Sequence, residues 1–290
     1  MNYGDCIGCG LCMIGCPAYE EAGYEPHTAK GRNRALQAGL GARDMEESVW
    51  ACTLCGYCDA VCPKHVRNVE IVLHLRRELA PGTAARAGWG GVSPPPRTLG
   101  GGPLILGCTL RTRAPELVPS IRRFVQSLGY PADPEAEGCC GSLEAEAGCA
   151  PRTRVKAGVV ADPVCLEQYD AEFLGALAMR HLDRFDLRGP FYYVVPHRLV
   201  NGDPDRFYPL YDALRRRFGC ETNLDLNRLA RSTSMGSLQG LEGRRDVKSA
   251  VDRLLKHSKA DRIITCSPAE YLAFKAHSGR ETLFITECLR

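Results

Sequence analysis

Sixteen of the 290 residues are cysteine, and eight of those repeat one spacing. Cys6, Cys9, Cys12 and Cys16 read C-x-x-C-x-x-C-x-x-x-C, closed by Pro17. Cys52, Cys55, Cys58 and Cys62 repeat it, closed by Pro63. Three thiolates spaced in this way can wrap one cubane of iron and sulfide, while the fourth reaches across to a neighbouring cluster. The spacing therefore assigns Cys6, Cys9, Cys12 and Cys62 to one [4Fe–4S] cluster. It assigns Cys52, Cys55, Cys58 and Cys16 to a second. Each proline is expected to turn the chain away after the crossing ligand, since it cannot continue a helix. A zinc site asks instead for four ligands, usually in two separated pairs. Two matched quartets fit that poorly. Two clusters in one small domain imply electron transfer.

The remaining composition sets bounds. The length suits about two domains with a sizeable core. A formal net charge of +3 argues for neither a nucleic-acid partner nor an anionic membrane surface. Short basic clusters such as 215–217 and 244–245 read as solvated faces. Cluster thiolates need a reducing compartment, so a cytoplasmic location is expected, with any membrane association made through a partner. The stretch MNYGDCIGCG has no basic region followed by an apolar run, so no signal peptide is expected. No run approaches the 18 or so apolar residues of a membrane span.

Elements must position these thiols. Between the quartets, 29–40 and 43–50 have helical patterns, which points to a helix-rich ferredoxin domain over 1–80. After Pro63, Val69, Val72, Leu73, Leu75 and Leu79 recur at helical spacing, up to Pro81 and Gly82. Pro and Gly dominate 81–103, the clearest linker, with Trp89 inside it. From Leu104 onwards, short apolar runs at 104–108, 158–162, 191–195, 262–266 and 282–286 read as strands. Helical patterns at 115–128, from Pro163, at 205–218, at 246–258 and from Pro268 fall between them. Strands alternating with helices predict an α/β domain over 104–290 with mainly parallel strands.

That region repeats itself. The strand before Cys108 matches the strand before His197. Cys139-Cys140-Gly141-Ser142-Leu143 matches Ser234-Met235-Gly236-Ser237-Leu238. Asp162-Pro163-Val164-Cys165 follows one strand as Cys266-Ser267-Pro268-Ala269 follows another. The three matches keep one order, so 104–190 and 191–290 read as half-domains of common origin.

On these residues the chain resembles the iron–sulfur subunits built as a two-cluster ferredoxin followed by a duplicated "CCG" domain. That group includes the iron–sulfur subunits of glycolate oxidase, lactate utilisation and anaerobic glycerol-3-phosphate dehydrogenase, and heterodisulfide reductase subunits that fuse the C and B parts. The resemblance implies a helical two-cluster ferredoxin domain followed by an α/β domain of two degenerate CCG repeats. It also implies that each half once carried a lone Cys, a Cys-Cys-Gly and a Cys-Pro-x-Cys. This chain keeps Cys108, Cys139, Cys140 and Cys165 in the first half, with Asp162 where a fifth thiol would stand. In the second half only Cys266 remains, with His197 as an imidazole partner for it. Four thiols can hold a third iron–sulfur cluster or zinc, or stand as a metal-free redox or vestigial site.

Other residues read more blandly. Cys149, Cys220 and Cys288 suit small buried hydrophobes. His65 suits the surface or packing, with tuning of a cluster as the sharper reading. Arg32, in Ala29-Lys30-Gly31-Arg32, holds the domain or a partner face, or lies in a plain exposed loop. No Gly-rich nucleotide fingerprint appears, so flavin or nicotinamide chemistry falls to a partner. The expected function is an electron-relay subunit between a flavoprotein dehydrogenase and a quinone, membrane or thiol acceptor. The alternative is a heterodisulfide reductase-like subunit that reduces a disulfide in the first half. No catalytic acid or base is apparent.

Overall fold

The computed structural model describes residues 1–79, 102–132, 140–149 and 154–290. Most of the expected linker, and Cys139, lie outside them. Five α-helices carry the N-terminal region: Pro17–Ala22, Ala29–Gln37, Glu46–Ala51, Tyr57–Ala60 and Asn68–Leu79. Pro17 does not merely stop a preceding element; it opens the first helix, where its missing N–H costs nothing. Thr28 caps the second helix by accepting from Gly31 N. The Asp59 carboxylate accepts from Asn68 N at 2.7 Å, opening the fifth. Ile71, Val72 and Leu75 then fall on one face of that helix and bury against Val49, Leu54 and Val66.

From Leu104 onwards the described residues include seven strands in two sheets. β1 (Leu104–Ile105), β2 (Val155–Val160) and β3 (Tyr169–Phe173) make the first, in that order. The second runs β5 (Glu221–Thr222), β4 (Phe191–Val194), β6 (Arg262–Thr265), β7 (Glu281–Phe284). Every ladder between these strands is parallel. All four β4 side chains are buried. Phe191 and Tyr193 join the core shared with the first sheet, while Tyr192 and Val194 pack with Val251 and Phe274 on the other face. Burial on both faces is the usual state of parallel strands.

The predicted strands all form, and β3 and β5 are additional. β3 reads YDAEF, with charges that hide it from a search for apolar runs, and β5 has two residues. The helix expected from Pro163 lasts only to Leu166. At 115–117 the chain is a 3₁₀ turn before the helix Val118–Ser127. Both sheets share a plan: β1 and β4 each lead into a helix, Cys108–Arg113 and His197–Gly202, and β2 and β6 each lead into one opened by proline.

Candidate cluster sites and a thiol group

The two quartets fold together crosswise. Cys6, Cys9 and Cys12 line one void with Cys62, beside Lys30 and Lys64. Cys52, Cys55 and Cys58 line a second with Cys16, beside Arg32 and Tyr57, and Cys12 borders both voids. Among the described residues, no three Cys, His, Asp or Glu side chains converge as ligands of a single ion do. The eight thiols instead surround two spaces, which suits a polynuclear group whose irons each take one thiolate.

Tyr57 sets the spacing between the motifs. It is buried, and a Cβ on Gly15 would stand 2.3 Å from its ring. Only glycine lets the chain before Cys16 pass that close. Burial pushes the Cys12 thiol up to about 11 and Cys55 up to about 12. Iron in place of the proton would relieve that cost.

Charge around the second void fits an anionic group. Arg32 is helical and buried rather than in an exposed loop. Its guanidinium donates to the carbonyls of His27 and Ser48, each at 2.9 Å. Arg76 is fully buried and donates to the carbonyls of Val49, Cys52 and Glu146. Every hydrogen bond of these two cations ends on a neutral oxygen. Buried charge is costly unless it is balanced; the Glu146 carboxylate acts on Arg76, and a cluster with four thiolates would add negative charge beside both cations.

The voids differ in exposure. Cys9 is exposed, as are Ile7, Leu11 and Ile14 around it. Cys55 is buried against the C-terminal half. Asn201 Nδ2 donates to Cys55 O at 3.1 Å, and Tyr57 OH donates to Asp225 Oδ2 at 2.6 Å. Arg231 and Arg245 pair with Glu20 and Glu21 of the first helix.

The first sheet gathers a third group. Ile105 and Val160 are in register, so Cys108 and the 162–165 turn leave the same carboxyl edge, where ligands of parallel sheets collect. A Cβ on Gly107, at φ +82°, would stand 3.0 Å from Cys165 Sγ and 2.9 Å from Asp162 Cβ. Cys140 Sγ lies 3.2 Å from Ser142 Oγ, which donates to Val164 O at 2.8 Å. Cys108, Cys140 and Asp162 all act on Cys165, whose thiol is raised well above its ordinary value, first by Cys140 and then by burial. A cavity of about 510 Å³ is lined by Leu54, which also lines the second void, and by Gly56, His65, Ser142, Glu146 and Arg198 among others.

The second half is built differently from the expectation. Cys266 sits in the core beside the hydroxyls of Tyr193 and Tyr211. His197 instead faces Ser232 Oγ at 3.2 Å and Glu270 Oε1 at 3.3 Å. Cys220 and Cys288 are buried as expected, whereas Cys149 is half-buried. His65 is exposed and lines the cavity. Sequence reasoning missed Arg76, Glu146, Arg198 and Asn201, which lie outside every motif.

Residues 3–66 match the family model described as the 4Fe-4S dicluster domain. They are a 4Fe-4S dicluster domain. Relatives of the chain include the uncharacterized electron transport protein YkgF of Escherichia coli K12, 37% identical over 79 residues, 26% of this chain and 17% of that one. The probable glycolate oxidase iron-sulfur subunit of Bacillus subtilis is 32% identical over 78 residues, 25% of this chain and 18% of its own. A component of the H(2):CoB-CoM heterodisulfide,ferredoxin reductase of Methanothermobacter marburgensis is 31% identical over 87 residues, 29% of this chain and 42% of its own. The chain thus spans less than half the length of these relatives. No solved structure matches it. The dicluster domain is joined to parallel α/β sheets, and no helix among the described residues is long and apolar enough to cross a membrane.

Proposed function

We propose that this chain is an iron–sulfur electron-transfer subunit of a multisubunit oxidoreductase. Its partner would be a flavoprotein dehydrogenase of the hydroxy acid or polyol type, with a quinone, membrane protein or thiol as acceptor. Cys6, Cys9, Cys12 and Cys62 would hold one [4Fe–4S] cluster, and Cys52, Cys55, Cys58 and Cys16 the other. Bound there, each cluster supplies one-electron transfer. The chain's own residues fix where that happens. Tyr57 and Gly15 set the approach of the motifs, Arg32 and Arg76 balance charge, and the α/β half walls the inner site from water. Ile7, Leu11 and Ile14 form an apolar collar at the outer site, of the kind that marks a protein partner's face.

The single observation that carries this reading is the crosswise pairing of the two quartets around two voids. We further read 1–80 as the cluster domain, 81–103 as a linker and 104–290 as a duplicated CCG domain. The shared plan of the two sheets supports the duplication. The test is iron, sulfide and zinc per chain on anaerobically purified protein, with low-temperature EPR. About eight irons would support two cubanes, and about twelve would add a third cluster at Cys108, Cys139, Cys140 and Cys165. Four irons or fewer would refute the pair.

A second reading has its own support. Cys165 and Asp162 both crowd Gly107 at one sheet edge, Cys108 and Cys140 act on Cys165, and Ser142, beside Cys140, lines a cavity large enough for a small ligand. Two electrons and two protons delivered there would cleave a disulfide into two thiols. Zinc without extra iron would argue against this reading and for a structural site.

A further inference from the structure

Arg76 joins two sites that sequence places far apart. From the helix Asn68–Leu79 its Nη2 donates to the carbonyl of Cys52 at 2.5 Å and to that of Val49 at 3.2 Å. Its Nη1 donates to the carbonyl of Glu146 at 2.6 Å. Glu146 ends the helix Ser142–Glu146, which starts two residues after Cys140. The guanidinium also lies 5.0 Å from the ring centre of Trp50, and Trp50 packs against Leu143 and Ala147 of the same segment. Gly148 makes the approach possible. At φ +94° its added Cβ would stand 2.7 Å from the Arg76 carbonyl carbon.

We infer that Arg76 is a positioning residue that couples the inner cluster site to the thiol group at the sheet edge. This rests on the cluster assignment proposed above. One face of the planar fork holds the chain at the first ligand of the inner quartet. The other holds the helix that follows Cys140. Its charge, matched by no carboxylate in these bonds, is complementary to the anionic cluster. Filling the inner site therefore fixes the fork, and the fork fixes the segment carrying Cys140. Lysine carries the charge but not the planar fork, so the two roles separate by substitution.

The experiment uses full-length protein purified without oxygen: wild type, Arg76→Met, Arg76→Lys and Gly148→Ala. Three quantities are read: iron and sulfide content, cluster midpoint potentials by EPR titration, and the iodoacetamide labelling rate of Cys140 by peptide mapping. Arg76→Met should lower the potential of one cluster, because loss of a nearby cation disfavours the reduced state. It should also speed Cys140 labelling about tenfold, the scale of one hydrogen bond to a charged group. Arg76→Lys should restore the potential but not the protection. Gly148→Ala should expose Cys140 and leave both potentials in place, and it keeps the test open if Arg76→Met does not fold. Unchanged potentials and unchanged labelling in Arg76→Met with intact iron would overturn the coupling alone. Wild type with fewer than about eight irons would overturn the cluster assignment instead, whatever the labelling rates.

Discussion

The side-chain amide of Asn201 donates to the carbonyl oxygen of Cys55 at 3.1 Å, across 146 residues of sequence. The same amide donates to Ala230 O at 3.0 Å, and its carbonyl accepts from Ala230 N at 2.9 Å. One buried side chain thus satisfies the cluster loop and a loop of the second half together. Replacement by alanine strands three buried groups. Asn201→Ala is expected to cost about 3 kcal/mol, seen as a lower thermal midpoint together with faster loss of iron on dilution. A midpoint within a degree of wild type would mean that water replaces the amide freely.

The crossing of the quartets makes a comparison among four variants decisive. Cys62→Ser should leave the same residual EPR signal as Cys9→Ser, although it lies in the other motif. Cys16→Ser should match Cys55→Ser. Each variant should lose about four irons, one cubane. If Cys62→Ser resembled Cys55→Ser, each motif would serve its own cluster.

Cys140 lies at the sheet edge, outside both voids. Cys140→Ser is expected to leave about eight irons in place, with any third centre lost. Iron analysis beside EPR checks this. Loss of all iron would mean that the two regions fold or load as one unit.

Cys266 gives a pH dependence whose sign is fixed. Burial pushes its thiol up to about 12, whereas an exposed thiol titrates near 8.5. The folded state keeps the proton that the unfolded state releases. Its contribution is full below about pH 8.5 and is lost as pH rises toward 12. Between pH 8.5 and 10, wild type should lose up to about 2 kcal/mol more stability than Cys266→Ala. Denaturant titrations at the two pH values measure this, and equal losses in both proteins would refute it.

What could be read from sequence was what depends on local spacing. The two cysteine quartets, the helix after Pro63, and the apolar runs that became β1, β2, β4, β6 and β7 all repeat over a few residues. Such patterns are set by the geometry of one element. The motifs also suggest a crosswise ligand pairing, each fourth thiol serving the neighbouring cluster, which the four cysteine variants above test. β3 was not legible, since YDAEF gains its strand form from the ladder with β2 rather than from its own apolarity.

Tertiary structure alone decided the rest. Arg76, Asn201 and Tyr57 touch partners up to 168 residues away, and no spacing rule reports such contacts. It placed Cys108 and Cys165 on one edge because β1 and β2 pair in parallel and in register. It separated Cys266 from His197, because a buried thiol beside two tyrosine hydroxyls belongs to the core while the imidazole turns to Ser232 and Glu270. Residue type says which chemistry a side chain can do. Only packing says which side chains meet, since that follows from burying apolar surface and pairing buried polar groups across the whole chain.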